Sequence, residues 1–121
     1  MGPILIVDDE FGIVEAIRDF LQDEGYRTAI ALNGRQALEL MAVERPALVL
    51  VDYMMPVMNG GELLEAMRSA PELSTVPVVL MSASPPKAWR ELPGTSLLLK
   101  PFGLEELIAA VRSALGESPK P

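Results

Sequence analysis

Residues 47–64 read "ALVLVDYMMPVMNGGELL", an apolar run over 47–51 that ends in a carboxylate, Asp52. An apolar run of this length without polar alternation suits a strand covered on both faces, and such strands belong to parallel sheets flanked by helices. The runs "PILIV" (3–7), "PVVLM" (77–81) and "SLLLK" (96–100) have the same character, and "RTAIA" (27–31) is a weaker fifth. Between them the period changes from strand to helix. Ile13, Ile17, Phe20 and Leu21 share one helical face, as do Leu104, Leu107, Ile108, Val111 and Leu115 near the end of the chain. Gly25 follows the first helical stretch, Asn33 is placed to cap the second, Pro46 follows its end and Pro71 follows the third. The pattern is a strand and a helix, repeated five times. Right-handed crossovers then predict a doubly wound α/β sheet, whose ligands sit beyond the carboxyl ends of its strands.

Composition narrows the chemistry. A chain of 121 residues, half of them hydrophobic, is large enough to bury one core without staples. Without cysteine or histidine, disulfide scaffolds, the usual zinc sites and imidazole-based triads are excluded. A formal charge of -7 argues against direct contact with nucleic acid or an anionic membrane. No apolar stretch is long enough to span a bilayer, and "MGPILIVDDE" lacks the basic start of a signal peptide, so a cytoplasmic protein is expected.

The predicted sheet edge gathers an unusual set of side chains. Asp8 and Asp9 follow the first run, Asp52 the third and Ser82 the fourth, while Lys100 closes the fifth. Singly, each has a plain explanation: Asp8 or Asp9 as a helix cap, Asp52 as a solvated loop acid, Ser82 as a turn hydroxyl, Lys100 as a surface charge. Together they converge on one end of one sheet. Three crowded carboxylates call for a cation, and a hard divalent ion such as Mg2+ prefers oxygen ligands. Acidic metal ligands, a lysine and a hydroxyl are equipment for phosphoryl transfer, with a carboxylate as the available nucleophile. Met54, Met55 and Met58 are better read as gap-fillers than as a copper site, since no histidine or cysteine accompanies them.

The ordered pieces "ILIVDDE", "LVLVDYMMPVMNG", "VVLMSA" and "LLLKPF" resemble the receiver domains of two-component response regulators, the group that includes the single-domain chemotaxis regulator. The resemblance covers essentially the whole chain. It implies a flavodoxin-like five-stranded sheet in the order 2-1-3-4-5, with a receiver domain over 1–116 and a disordered tail over 117–121. By position it makes Asp52 the phosphoacceptor, Asp9 a direct Mg2+ ligand and Asp8 a ligand through water. Met54 would offer its backbone carbonyl to the metal, and Ser82 and Lys100 would meet the phosphoryl group. The phosphoryl donor it implies is a sensor histidine kinase or phosphotransfer protein, and the output is an unidentified protein target. It further implies self-catalysed dephosphorylation without turnover of an outside substrate, and a cis Lys100–Pro101 bond.

The chain departs from this pattern in two places. "ASPPKAWRELPGTSLLL" (83–99) is short for the family and leaves room for only a short or irregular fourth helix around 87–92. Leu97 stands three before Lys100, where receivers usually carry an aromatic residue, so a modified output surface is expected. Trp89, in the same stretch, suits either local packing or a partner interface. A degenerate receiver acting as a docking module is the alternative these departures raise. An aspartate-nucleophile phosphatase is a further one, although it generally needs a second acid where Met54 stands.

Overall fold

A computed structural model describes residues 2–55, 57–87 and 94–117. Along the chain run β1 (Ile4–Val7), α1 (Phe11–Asp23), β2 (Thr28–Ala31), α2 (Gly34–Val43), β3 (Leu48–Asp52), α3 (Gly60–Ser69), β4 (Val78–Ser82), β5 (Thr95–Leu99) and α4 (Leu104–Ala114). The expected helix around 87–92 and Trp89 lie, apart from Lys87, outside the described residues, as do 118–121 of the expected tail. The strands form one parallel sheet in the order β2-β1-β3-β4-β5. No helix among the described residues is long and apolar enough to cross a membrane.

The unbroken apolar runs follow from strand geometry. Successive side chains point to opposite faces, so a strand with a core on each side needs apolar residues at every position. Leu5, Val7, Val49, Val51, Val78 and Leu80 enter one core, with Ala37 and Met41 of α2 and Leu63, Leu64 and Met67 of α3. Their neighbours Ile4, Ile6, Leu48, Leu50, Val79 and Met81 enter the other, with Val14, Ile17 and Leu21 of α1 and Leu107 and Val111 of α4.

Two expectations fail at the periphery. The "SLLLK" run is not covered on both faces: β5 is an edge strand in which Leu98 is buried but Leu99 is 54% exposed. Leu104 lies on the apolar stripe of α4 yet is 56% exposed, because it stands in the first turn, beyond the sheet's cover.

Helix entries follow local chemistry. The Asn33 side chain accepts a hydrogen bond from the Gln36 amide at 2.8 Å. Asn59 accepts from the Glu62 amide at 2.9 Å while Glu62 accepts from the Asn59 amide at 3.1 Å, a reciprocal cap that makes Asn59-Gly60 a helix entry. At the α1 C-terminus Gly25 takes φ of 94°, the left-handed conformation that suits glycine.

Candidate functional site

The carboxyl ends of β1, β3, β4 and β5 bring the five candidate side chains to one edge. Asp8, Asp9 and Asp52 each offer an oxygen within 4.8 Å of the other two, a group able to hold a metal ion. Asp8 and Asp52 are buried and Asp9 is exposed, so the group opens on one side. Asp8 does not cap α1 in the usual sense. The N-cap is Glu10, without a side-chain bond, and Asp8 Oδ1 accepts from the Glu10 amide at 3.0 Å.

Lys100 reaches across β4 to both buried acids. Its Nζ lies 3.3 Å from Asp8 Oδ2 and 3.2 Å from Asp52 Oδ1. Its backbone amide donates to the Ser82 carbonyl at 3.0 Å, which anchors the end of β5 beside β4. Ser82 is buried, and its Oγ accepts from the Ser84 amide at 3.1 Å. The Lys100–Pro101 peptide is cis, and α4 begins three residues after Pro101.

Electrostatics fit an acid pocket that wants a second cation. Burial pushes the Asp52 carboxyl above its ordinary range; the Asp8 charge adds to this, Lys100 opposes it, and Asp9 contributes least. Burial works against the Lys100 ammonium, but Asp8 and Asp52 outweigh it and its pKa rises. One lysine therefore does not neutralise three carboxylates. The donor set, all oxygen with one open side, fits a hard divalent ion.

The loop from Asp52 to α3 carries its own constraint. A Cβ on Gly60 would sit 2.9 Å from Tyr53 Cα, 3.0 Å from the Asp52 carbonyl oxygen and 3.1 Å from Leu80 Cδ1. Two of those neighbours are backbone, so they cannot swing aside. Gly60→Ala is expected to lower stability by about 1–3 kcal/mol through overpacking, read as a lower urea midpoint. An unchanged midpoint would show that the loop yields freely. Met54 is exposed, Met55 is buried and Met58 packs against the core and over Gly34.

Sequence reasoning assigned no role to Arg68, whose Nη1 donates to the carbonyls of Val76 at 2.9 Å, Ser74 at 3.1 Å and Leu73 at 3.4 Å. It pins the segment leading into β4, and no local pattern marks such a contact. The same holds for Tyr26, whose hydroxyl donates to Glu117 at 2.6 Å and ties the end of α4 to the turn before β2.

The response regulator receiver domain family matches residues 4–112. The chain belongs to that family. It is 38% identical to sporulation initiation phosphotransferase F of Bacillus subtilis over 116 residues, covering 93% of this chain and 92% of that protein. It is 37% identical to response regulator MprA of Mycolicibacterium vanbaalenii over 116 residues, covering 93% of this chain and 49% of that protein. The receiver thus spans about half the length of MprA and nearly all of the Bacillus protein. The structure of chemotaxis protein CheY4 of Vibrio cholerae superposes with a TM-score of 0.87 at 29% identity, over 94% of this chain and 98% of that one. The receiver's strand order agrees with that likeness, as the sequence led one to expect.

Proposed function

We propose that this receiver takes a phosphoryl group onto Asp52, with Mg2+ held by Asp8, Asp9, Asp52 and the Met54 carbonyl. The observation that carries the reading is the Lys100 ammonium between two buried acids of a three-carboxylate group. When bound, Mg2+ neutralises the carboxylates and draws charge from the transferring phosphoryl oxygens. An Asp52 oxygen attacks phosphorus, the N–P bond of a phosphohistidine donor breaks, and the imidazole nitrogen leaves with the electron pair. Lys100, already within ion-pair distance of Asp52, pairs with the new phosphoryl oxygens. The Ser82 hydroxyl has a proton to donate, since among the described residues its Oγ accepts from Ser84 and donates to none. Water later cleaves the acyl phosphate and regenerates the carboxylate.

The partners of this reading are a sensor histidine kinase or phosphotransfer protein as donor and a protein target for output, in the cytoplasm. Output passes through the β5 edge, where Leu97 packs inward against the α2–α3 core in place of an aromatic residue. The deciding experiment is intact mass after incubation with acetyl phosphate, with and without Mg2+. One phosphoryl adduct that depends on Mg2+ is expected. Mg2+ at a hundredfold excess over its dissociation constant is further expected to add about 2.7 kcal/mol of stability. No adduct, where another receiver labels under the same conditions, would turn the reading toward a docking module.

A further inference from the structure

The methionines of the loop after β3 differ sharply in exposure, and phosphoryl transfer as proposed uses only one backbone carbonyl from them. Met54 is 70% exposed and Met55 is 9% exposed, while Met58 is partly buried, with its Cγ and Sδ 2.8 Å from where a Cβ on Gly34 would stand. Elsewhere among the described residues, Met41, Met67 and Met81 are buried. We propose that Met54 is a peroxide-sensitive modification site whose sulfoxide tightens Mg2+ binding in the acid pocket. The consequence for the metal rests on the proposed Mg2+ reading of that pocket.

Composition sends an oxidant to methionine. The chain has seven methionines and no cysteine, so thioethers are its only sulfur. Hydrogen peroxide is small and uncharged, so a net charge of -7 does not repel it. A sulfur lone pair attacks one peroxide oxygen, and the S–O bond forms as the O–O bond breaks. The departing hydroxide takes the proton of the new S–OH and leaves as water. Sulfur is oxidised by two electrons and the peroxide is reduced by two. Close packing in the two cores withholds that approach from Met41, Met67 and Met81.

Position gives the modification a consequence. Met54 stands two residues after Asp52, in the loop that leaves the carboxyl edge of the sheet. Its carbonyl belongs to the proposed ligand set, and its unbranched, flexible side chain springs from the Cα bonded to that carbonyl. A thioether is soft and offers Mg2+ little, whereas a sulfoxide ends in a hard, partly negative oxygen of the kind Mg2+ prefers. The pocket already sets three carboxylates against Lys100, which is engaged by Asp8 and Asp52. Another negative dipole end beside it therefore favours occupation by a cation. The change is reversible: a sulfoxide reductase returns the thioether, the oxygen leaving as water while two thiols become a disulfide.

The test uses the whole chain. Metal-free protein is treated with graded hydrogen peroxide, and peptide fragmentation mass spectrometry follows oxygen uptake at every methionine. Met54 is expected to gain oxygen at least about tenfold faster than Met41, Met55, Met58, Met67 and Met81. Equal or faster uptake at any of those would overturn the site. Mg2+ dissociation constants are then measured by nuclear magnetic resonance titration before oxidation, after it, and after treatment with a methionine sulfoxide reductase and a dithiol. Oxidation is expected to tighten binding about twofold or more, and reduction to reverse this. An unchanged or weakened affinity would overturn the consequence for the metal. Met54→Leu keeps an apolar side chain and the backbone carbonyl but has no sulfur, so peroxide should leave this variant's Mg2+ affinity at its own untreated value. A shift as large as the parent's would overturn the assignment to Met54. If Mg2+ moves no signal of Asp8, Asp9 or Asp52 in the untreated chain, the metal reading falls and the consequence with it, while the order of oxidation still decides the modification site.

Discussion

The Asp52→Asn protein is expected to take up no phosphoryl group from acetyl phosphate and yet, without Mg2+, to be more stable than its parent. Loss of labelling follows from removing the oxygen proposed as the nucleophile, since no other carboxylate in the group is paired with Lys100 except Asp8, which is fully buried. The gain in stability follows from the direction of the Asp52 shift. Burial and Asp8 raise its pKa despite Lys100, so folding favours the protonated form. A carboxyl whose folded pKa is raised contributes most below its unfolded value, and that contribution is lost as pH rises through the folded value. Ionising Asp52 in the folded chain therefore carries a net cost, which a neutral amide of the same shape avoids while still accepting a bond from Lys100. The expected gain is on the order of 1 kcal/mol, or about 4 °C in thermal midpoint. Scans at pH 7 in a chelator measure it, and the difference should shrink on acidification as the parent protonates. A lower midpoint at pH 7 would mean that the Lys100 pairing outweighs burial and Asp8. The added Mg2+ stabilisation should also weaken in the variant.

Lys100→Met is expected to have the opposite sign. It removes the only cation within ion-pair distance of Asp8 and Asp52 among the described residues, and leaves two buried carboxylates facing each other. Breaking a buried pair costs about 3–5 kcal/mol, and the lower end applies because the Lys100 side chain is 22% exposed. Urea unfolding at pH 7 without metal should therefore show a loss of about 3 kcal/mol. Mg2+ or acid should restore much of it, one by neutralising the acids and the other by protonating them. The parent's own dependence lies at alkaline pH. Lys100 has a raised pKa, so its contribution is fully present below the unfolded value of about 10.4 and is lost as pH rises through the folded one. A variant with the parent's midpoint in chelator would show that the Lys100 pairing adds nothing to stability. Phosphoryl labelling by acetyl phosphate should fall steeply in this variant even at saturating Mg2+.

Much of the molecule was legible before any coordinates. Periodicity alone located the strands to within a residue, because a parallel sheet with two cores demands apolar side chains at consecutive positions. Asn33 announced a helix start because capping is a contact of a few residues' range. The site residues were visible because each stands at or just past the end of an apolar run, and the topology rule sends every such residue to one edge. Their roles came from the resemblance.

Local periods and caps are written in the chain itself, and through them the order of elements and the side chains at the sheet's carboxyl edge. Which of those side chains meet depends on the packed fold. Lys100 spans β4 to reach Asp52, Arg68 folds back onto three carbonyls of the loop that follows its own helix, and Gly60 is needed because Tyr53 and Asp52 pack against its backbone. It also decided that β5 is an edge and that Leu104 stays in solvent. The physical reason is range: propensity and periodicity act over a helical turn or two, whereas these contacts depend on how separately formed elements stack.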